Sequence, residues 1–305
     1  MQGVTIVMPV VESPSVLRGI PVSQAMQRQV VSLPATADIG QGIRMMIRYK
    51  TNAVLLTDSG LPHGVVTKTD LLSAYYAELP STTLLGDVMG SQPIACFPDD
   101  LVEDALEIMA AASVHQLYIT GANREEVIGI VSYAEILGLL YRYCRACERG
   151  TARKRMQLSG IDPAARLKVK EVMTQEVWAC QDSDPLFTVT ETLSARQMGA
   201  VLIHAATGGP AGVISKTDLI MAYHHGISTQ TEAREVMHTP VHSVLADDLL
   251  AKAIQQMLIR DVQRLFVHRD AARPDLITGV LALSDAARFR SGSCRACTAG
   301  RILTR

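Results

Sequence analysis

Four stretches of this 305-residue chain close alike: "GVVTKTDL" from Gly64, "GIVSYAEI" from Gly129, "GVISKTDL" from Gly212 and "GVLALSDA" from Gly279. A repeat recurring at this interval constrains the fold more than any single residue. Each copy is one small unit that must bury its apolar face against its neighbours. Three copies also open alike, with "DVMG" at Asp87, "EVMT" at Glu171 and "EVMH" at Glu235; the first opens more loosely, with "SQAM" ending at Met26.

Between opening and closing, each copy carries a helical pattern and then a short apolar run. "LVEDALEIMAAA" places Leu101, Ala105, Ile108 and Met109 at helical spacing, and "DDLLAKAIQQML" does so with Leu250, Ala253, Ile254 and Met257. "AVLLTD" at Ala53, "QLYIT" at Gln116, "AVLIHA" at Ala200 and "RLFVH" at Arg264 read as buried strands. A second strand follows through the closing Gly-apolar-apolar run, and a helix is expected to start at the acidic residue of the motif. Each unit is therefore strand, helix, strand, strand, helix. Copies 1 and 3 share "AVL" and "KTDL", while copies 2 and 4 share "DDL" and a "CRAC" ending, so the order is A-B-A-B.

An opening like "EVMT", an apolar strand like "RLFVH" and a closing Gly-apolar-apolar-[Ser/Thr]-x-x-Asp together resemble CBS domains. The resemblance covers roughly residues 20 to 142 and 168 to 290. It implies an α+β fold of tandem repeats, each a small β-sheet packed on two helices, paired into two Bateman modules. The expected layout is an N-terminal extension (1–19), module 1 (20–143, repeats 20–80 and 83–143) and a linker (144–167). Module 2 (168–291, repeats 168–226 and 231–291) and a tail (292–305) complete it.

In that family the clefts between paired repeats often bind adenosine-containing ligands, here AMP, ADP, ATP or S-adenosylmethionine. The chemistry of the closing motif suits them. A helix N-terminus there offers N–H groups and a positive dipole end to an anion. The Thr67 hydroxyl can donate to a phosphate, and the Asp70 carboxylate can accept from the vicinal hydroxyls of a ribose. The same residue types are also preferred helix caps, so capping alone would place them there. Ser215 and Asp218 repeat the pair. Ser132 with Glu135 carries an extra methylene, and Asp285 follows Ala282, which has no hydroxyl, although Ser284 stands nearby. One ligand per module is expected, chiefly at the A-type repeats. Lys68 and Lys216 could neutralise phosphate or simply be solvated at the start of a helix. Tyr75 and Tyr223 correspond in the following helix, where core or interface roles are the common ones.

The two CRAC copies lie 150 residues apart, at Cys144 and Cys147 and at Cys294 and Cys297. One pair offers two thiolates, whereas structural zinc or an iron-sulfur cluster takes four ligands. Both pairs together would suffice if the equivalent ends of the modules meet. Two separate redox dithiols, or an inert relic of duplication, are the alternatives. Cys96 and Cys180 read as small buried hydrophobes.

A formal charge of −1 provides no overall field for nucleic acid or an anionic membrane. Six basic residues between Arg142 and Arg155 read as a solvated linker. The N-terminal stretch lacks the early basic residues of a signal peptide, and six cysteines are too sparse for a disulfide scaffold, so a cytoplasmic location is expected. Neither a P-loop, a Gly-x-Gly-x-x-Gly nor a nucleophile-base constellation is present, and the repeats leave no room for a barrel of about 250 residues. No catalytic activity is expected. The sequence points instead to a regulatory sensor acting on an effector protein, with a cysteine-based sensor as the alternative. Four repeats suit either a disc within one chain or a homodimer.

Overall fold

A computed structural model describes residues 17–123, 126–149 and 167–288, with the side chains of 144–149 outside that description. Each repeat builds one three-stranded sheet and two helices. Repeat 1 runs β1 (Ser32–Pro34), α1 (Ile39–Arg48), β2 (Ala53–Asp58), β3 (Leu61–Thr67), α2 (Lys68–Tyr76). Repeat 2 runs β4 (Ala95–Cys96), α3 (Val102–Ala111), β5 (Gln116–Thr120), β6 (Val127–Ser132), α4 (Tyr133–Arg149). Repeat 3 runs β7 (Ala179–Gln181), α5 (Leu186–Ala195), β8 (Ala200–His204), β9 (Pro210–Ser215), α6 (Lys216–His224). Repeat 4 runs β10 (Ser243–Leu245), α7 (Leu250–Arg260), β11 (Arg264–His268), β12 (Ile277–Ala282), α8 (Leu283–Arg288). In every sheet the short first strand pairs parallel to the second and the third returns antiparallel, as in β1-β2-β3. The short helix after the first strand makes the parallel crossover that a tight turn cannot.

The strands predicted from "AVLLTD", "QLYIT" and "RLFVH" fall on β2, β5 and β11 residue for residue. Two details differ. The closing helices begin before the acidic residue, which sits in the first turn, because Thr67 and Ser215 are the N-caps of α2 and α6. In α3 the buried face is Val102, Ala105, Leu106 and Met109, with Leu101 left at 37% exposure as the N-cap. Leu250, Ala253, Ile254 and Met257 of α7 are buried as the spacing requires.

The opening segments are exchanged within each pair of repeats. Residues leading into repeat 1 bond to repeat 2, with Gln27 and Ile130 exchanging backbone hydrogen bonds of 2.8 and 2.9 Å. Residues leading into repeat 2 return the exchange, Val65 N–H donating to Ser91 O at 2.8 Å. Thr174 with Val280, and His238 with Val213, do the same in repeats 3 and 4. At each crossing the opening segment lies on the glycine of the closing motif. A Cβ on Gly129 would stand 2.6 Å from Gln27 O, one on Gly212 2.8 Å from His238 O and 2.9 Å from Met237 Sδ, and one on Gly64 1.7 Å from Met89 Sδ. Both sequence signatures, the opening Met and the closing Gly, are thus two halves of one contact.

The helices then join the modules. One core contains Ile39, Ile43, Leu71 and Leu72 of repeat 1 together with Leu186, Val189, Leu219 and Ile220 of repeat 3. A second holds Val102, Ile136 and Leu140 of repeat 2 with Ile254, Leu283 and Ala286 of repeat 4. Like packs on like, A on A and B on B. Tyr75 and Tyr223 stack at 5.2 Å between centroids, and their hydroxyls donate reciprocally across the interface, to Ile227 O at 2.8 Å and Leu79 O at 2.6 Å.

Replacing Gly212 by Ala should lower unfolding free energy by about 1–3 kcal/mol, as overpacking against a backbone oxygen does. Urea denaturation checks it; a loss no larger than at an uncrowded site such as Gly209, where a Cβ meets nothing within 4 Å, would refute the contact's importance.

Candidate functional site

The closing motifs of repeats 1 and 3 fold as capping boxes. Thr67 N–H and Oγ1–H donate to Asp70 Oδ2 at 2.7 and 2.8 Å, while Thr67 Oγ1 accepts from the Thr69 and Asp70 N–H groups. Ser215 donates to Asp218 Oδ2 from N–H and Oγ at 2.7 Å each. Hydroxyl and carboxylate therefore satisfy orphan N–H groups of the helix start, as capping alone would require. In each pair one carboxylate oxygen, Oδ1, lies outside the box.

The B-type motifs depart as their sequences suggest. Glu135 reaches Ser132 N–H with Oε2 at 2.9 Å, bonds the Ser132 hydroxyl, and its Oε1 accepts from Gln27 Nε2 at 2.6 Å. Asp285 accepts the Ala282 N–H at 3.0 Å, and burial raises its pKa against the pull of the Ala282 bond and of the Arg288 and Arg264 charges.

A feature not expected from sequence is that the two A-type motifs meet. Lys68 Nζ donates to Thr217 Oγ1 and Lys216 Nζ to Thr69 Oγ1, each at 2.8 Å, so each module's lysine reaches the other module's motif. Neither lysine is simply solvated. Burial lowers the Lys68 pKa from 10.5 to about 8, against the opposing pull of Asp218 and Asp261. Burial also lowers Lys216, reinforced by the charge of Arg264 and opposed by Asp70.

Two further basic groups converge here. The Arg264 guanidinium packs on Gly199, where a Cβ would stand 2.0 Å from Nη1; burial lowers its pKa against the pull of Asp285. His115, edge-on to Tyr133 at 5.9 Å, is lowered first by burial and then by the charges of Arg264, Lys216 and Arg288. Sequence reasoning missed His115, Gly199 and Arg264. Only a comparison of the residues just ahead of and at the start of the second strand in all four repeats would have singled them out.

The cysteine expectation is not tested by this geometry. Positions 144 and 147 lie on α4, but their side chains, and all of Cys294 and Cys297, lie outside the described residues. Among the described residues no group of three or more His, Cys, Asp or Glu is placed to hold a metal ion. Cys96 and Cys180 are buried; burial pushes Cys96 up to about 11 and raises Cys180 as well. No helix among the described residues is long and apolar enough to cross a membrane.

Comparison with known proteins agrees with the repeat and its fold. The CBS domain family matches residues 22–77, 85–142, 169–225 and 233–292. The chain belongs to the CBS domain family, with four copies. A crystal structure from Methanocaldococcus jannaschii, proposed as an archaeal homolog of g-AMPK, is similar over 88% of this chain and 99% of its own, at 17% identity and a TM-score of 0.71. A conserved protein from Pyrococcus horikoshii covers 89% of this chain and 100% of its own, at 13% identity and a TM-score of 0.58. At these identities the likeness is one of fold. No curated protein matches the sequence.

Lys68 generates a pH prediction. Its folded pKa, about 8, lies below the unfolded 10.5. Below the lower value both states hold the proton and folding bears the full desolvation cost, on the order of 3 kcal/mol. Between the two values only the unfolded chain stays protonated, so stability should rise with pH across that window. Lys68→Met should be more stable than the parent at pH 7 and flatten the rise. An unchanged slope in pH-dependent urea unfolding would contradict it.

Proposed function

We propose that the protein is a regulatory sensor of adenosine nucleotides rather than a catalyst. The observation that carries this reading is the concentration of Lys68, Lys216, Arg264 and His115 where α2 and α6 begin. Burial lowers the pKa of all four groups, which makes their positive charge costly without an anion. A phosphate there would gain the amines, the helix N-termini and the Thr67 or Ser215 hydroxyls. The outlying oxygens of Asp70 and Asp218 are suited to a ribose diol. AMP, ADP, ATP and S-adenosylmethionine are the candidates, with one ligand per module at the A-type repeats. Ser132, Glu135 and Asp285 mark weaker sites, since their carboxylates face Gln27 or lie buried without a hydroxyl partner.

Transmission follows from the cross-module lysines. A phosphate competing for Lys68 and Lys216 would redistribute the bonds to Thr217 and Thr69, changing how the modules pack and which surface an effector protein meets. The signal would then pass to the effector as a shift in module packing. Whether two chains pair is a separate question that the nucleotide reading does not need.

The cysteine reading keeps one supporting observation. Helices α4 and α8, which lead toward the two CRAC motifs, share a core through Ile136, Leu140, Leu283 and Ala286. Zinc or an iron-sulfur cluster on Cys144, Cys147, Cys294 and Cys297 would require both motifs. Anaerobic purification, metal analysis and a visible spectrum test it; neither metal nor cluster absorbance ends it.

Calorimetry with the four nucleotides tests the main reading. Asp70→Ala and Asp218→Ala should each remove one equivalent of binding, and unchanged stoichiometry would overturn the assignment. Binding near pH 8.5 should take up protons as phosphate raises the lowered lysine pKa, visible as a buffer-dependent enthalpy. A pull-down with and without the stabilising nucleotide then identifies the effector.

A further inference from the structure

The residue after the opening Met differs between repeats, and in three of them it decides what the outlying carboxylate oxygen of the facing motif touches. In repeat 2 that oxygen is Glu135 Oε1, bonded to Gln27 Nε2 at 2.6 Å. In repeat 3 it is Asp218 Oδ1, which meets His238 Nε2 at 2.9 Å. In repeat 1 it is Asp70 Oδ1, which faces Gly90 so closely that a Cβ there would lie 2.3 Å away, and among the described residues no side chain corresponding to Gln27 or His238 meets it. The capping boxes of Asp70 and Asp218 use the other oxygen, Oδ2, in the same way. Two sites that look equal by their closing motifs therefore differ in the one acceptor left for a ligand.

We propose that His238 is a latch on the repeat 3 site. Its imidazole occupies the carboxylate oxygen that a ligand hydroxyl needs, so the repeat 1 site, faced by Gly90, fills first and the repeat 3 site only at higher ligand concentration. This rests on the nucleotide reading above. The exposures suit a latch rather than a plug: the His238 side chain is 76% exposed and that of Asp218 14%. The ring can swing into water while the carboxylate stays in place. A pair whose imidazole stands in water is weak, which sets the expected difference at about two- to fivefold. Gly90 has the opposite role, since any side chain there would displace the Asp70 carboxylate. The specificity between sites thus lies in the exchanged opening segment, contributed by the neighbouring repeat, and not in the motif itself.

The test uses the full chain, AMP, and 2′,3′-dideoxy-AMP as a control lacking both hydroxyls. With Asp70→Ala isolating the repeat 3 site, adding His238→Gly should tighten AMP about two- to fivefold and leave the dideoxy ligand unchanged. With Asp218→Ala isolating the repeat 1 site, adding Gly90→Ala should weaken AMP. Should the Asp variants fail to fold, His238→Ala alone should narrow the gap between the two AMP affinities of the otherwise unaltered chain. Unchanged AMP affinity at repeat 3, or an equal gain for both ligands, overturns the latch while leaving the nucleotide reading intact. If neither the parent chain nor His238→Gly binds AMP, ADP, ATP or S-adenosylmethionine, the nucleotide reading fails and the latch falls with it.

Discussion

A three-stranded sheet with two short helices cannot enclose a core, and the contact that resolves this is a methionine of one repeat lying on a glycine of its neighbour. Met89 on Gly64, Met26 on Gly129, Met237 on Gly212 and Met173 on Gly279 are the same contact made four times. Each brings the opening segment of one repeat onto the sheet of the other, where backbone bonds such as Gln27 to Ile130 hold it. The exchange makes each pair of repeats one unit. It also sets Gly90 and His238 against Asp70 and Asp218, so the site inherits its chemistry from the neighbouring repeat.

On that base the helices bury their apolar faces between modules, and the choice of partner has electrostatic consequences. Because A packs on A, the starts of α2 and α6 are brought together and the lysines cross between modules. Arg264 adds charge from repeat 4, and the His115 imidazole of repeat 2, held toward its neutral form by burial and by that charge, lies beside it. The centre is held by apolar burial and by paired tyrosines, at the expense of lysine solvation. Such stored cost is a common mark of a binding site in a folded domain.

Much of the architecture was legible locally. Short continuous apolar runs placed β2, β5 and β11, which are buried on both faces, and the 3.6-residue stripe placed α7, which buries one. Helix starts were less legible, since Thr67 and Asp70 both suit the first turn and only the hydrogen bonds distinguish the cap from the residue that closes the box. Leu101 misled for a related reason: at the N-cap it precedes the helical register and points away from the core. At the site, Thr67, Asp70, Ser215 and Asp218 could be named from the motif, whereas His115, Gly199, Arg264 and His238 carry no local signal.

The sequence by itself determined the repeat, its strand and helix order, its A-B-A-B relation and its membership of the CBS domain family. These depend on periodicity and short motifs, which are properties of neighbouring residues. Tertiary structure alone decided that the modules within one chain close on each other, that the motifs of repeats 1 and 3 touch, and that the repeat 3 carboxylate is engaged by His238 while the repeat 1 carboxylate is not. Those outcomes depend on which apolar faces find each other across more than a hundred residues, and no local pattern encodes that choice.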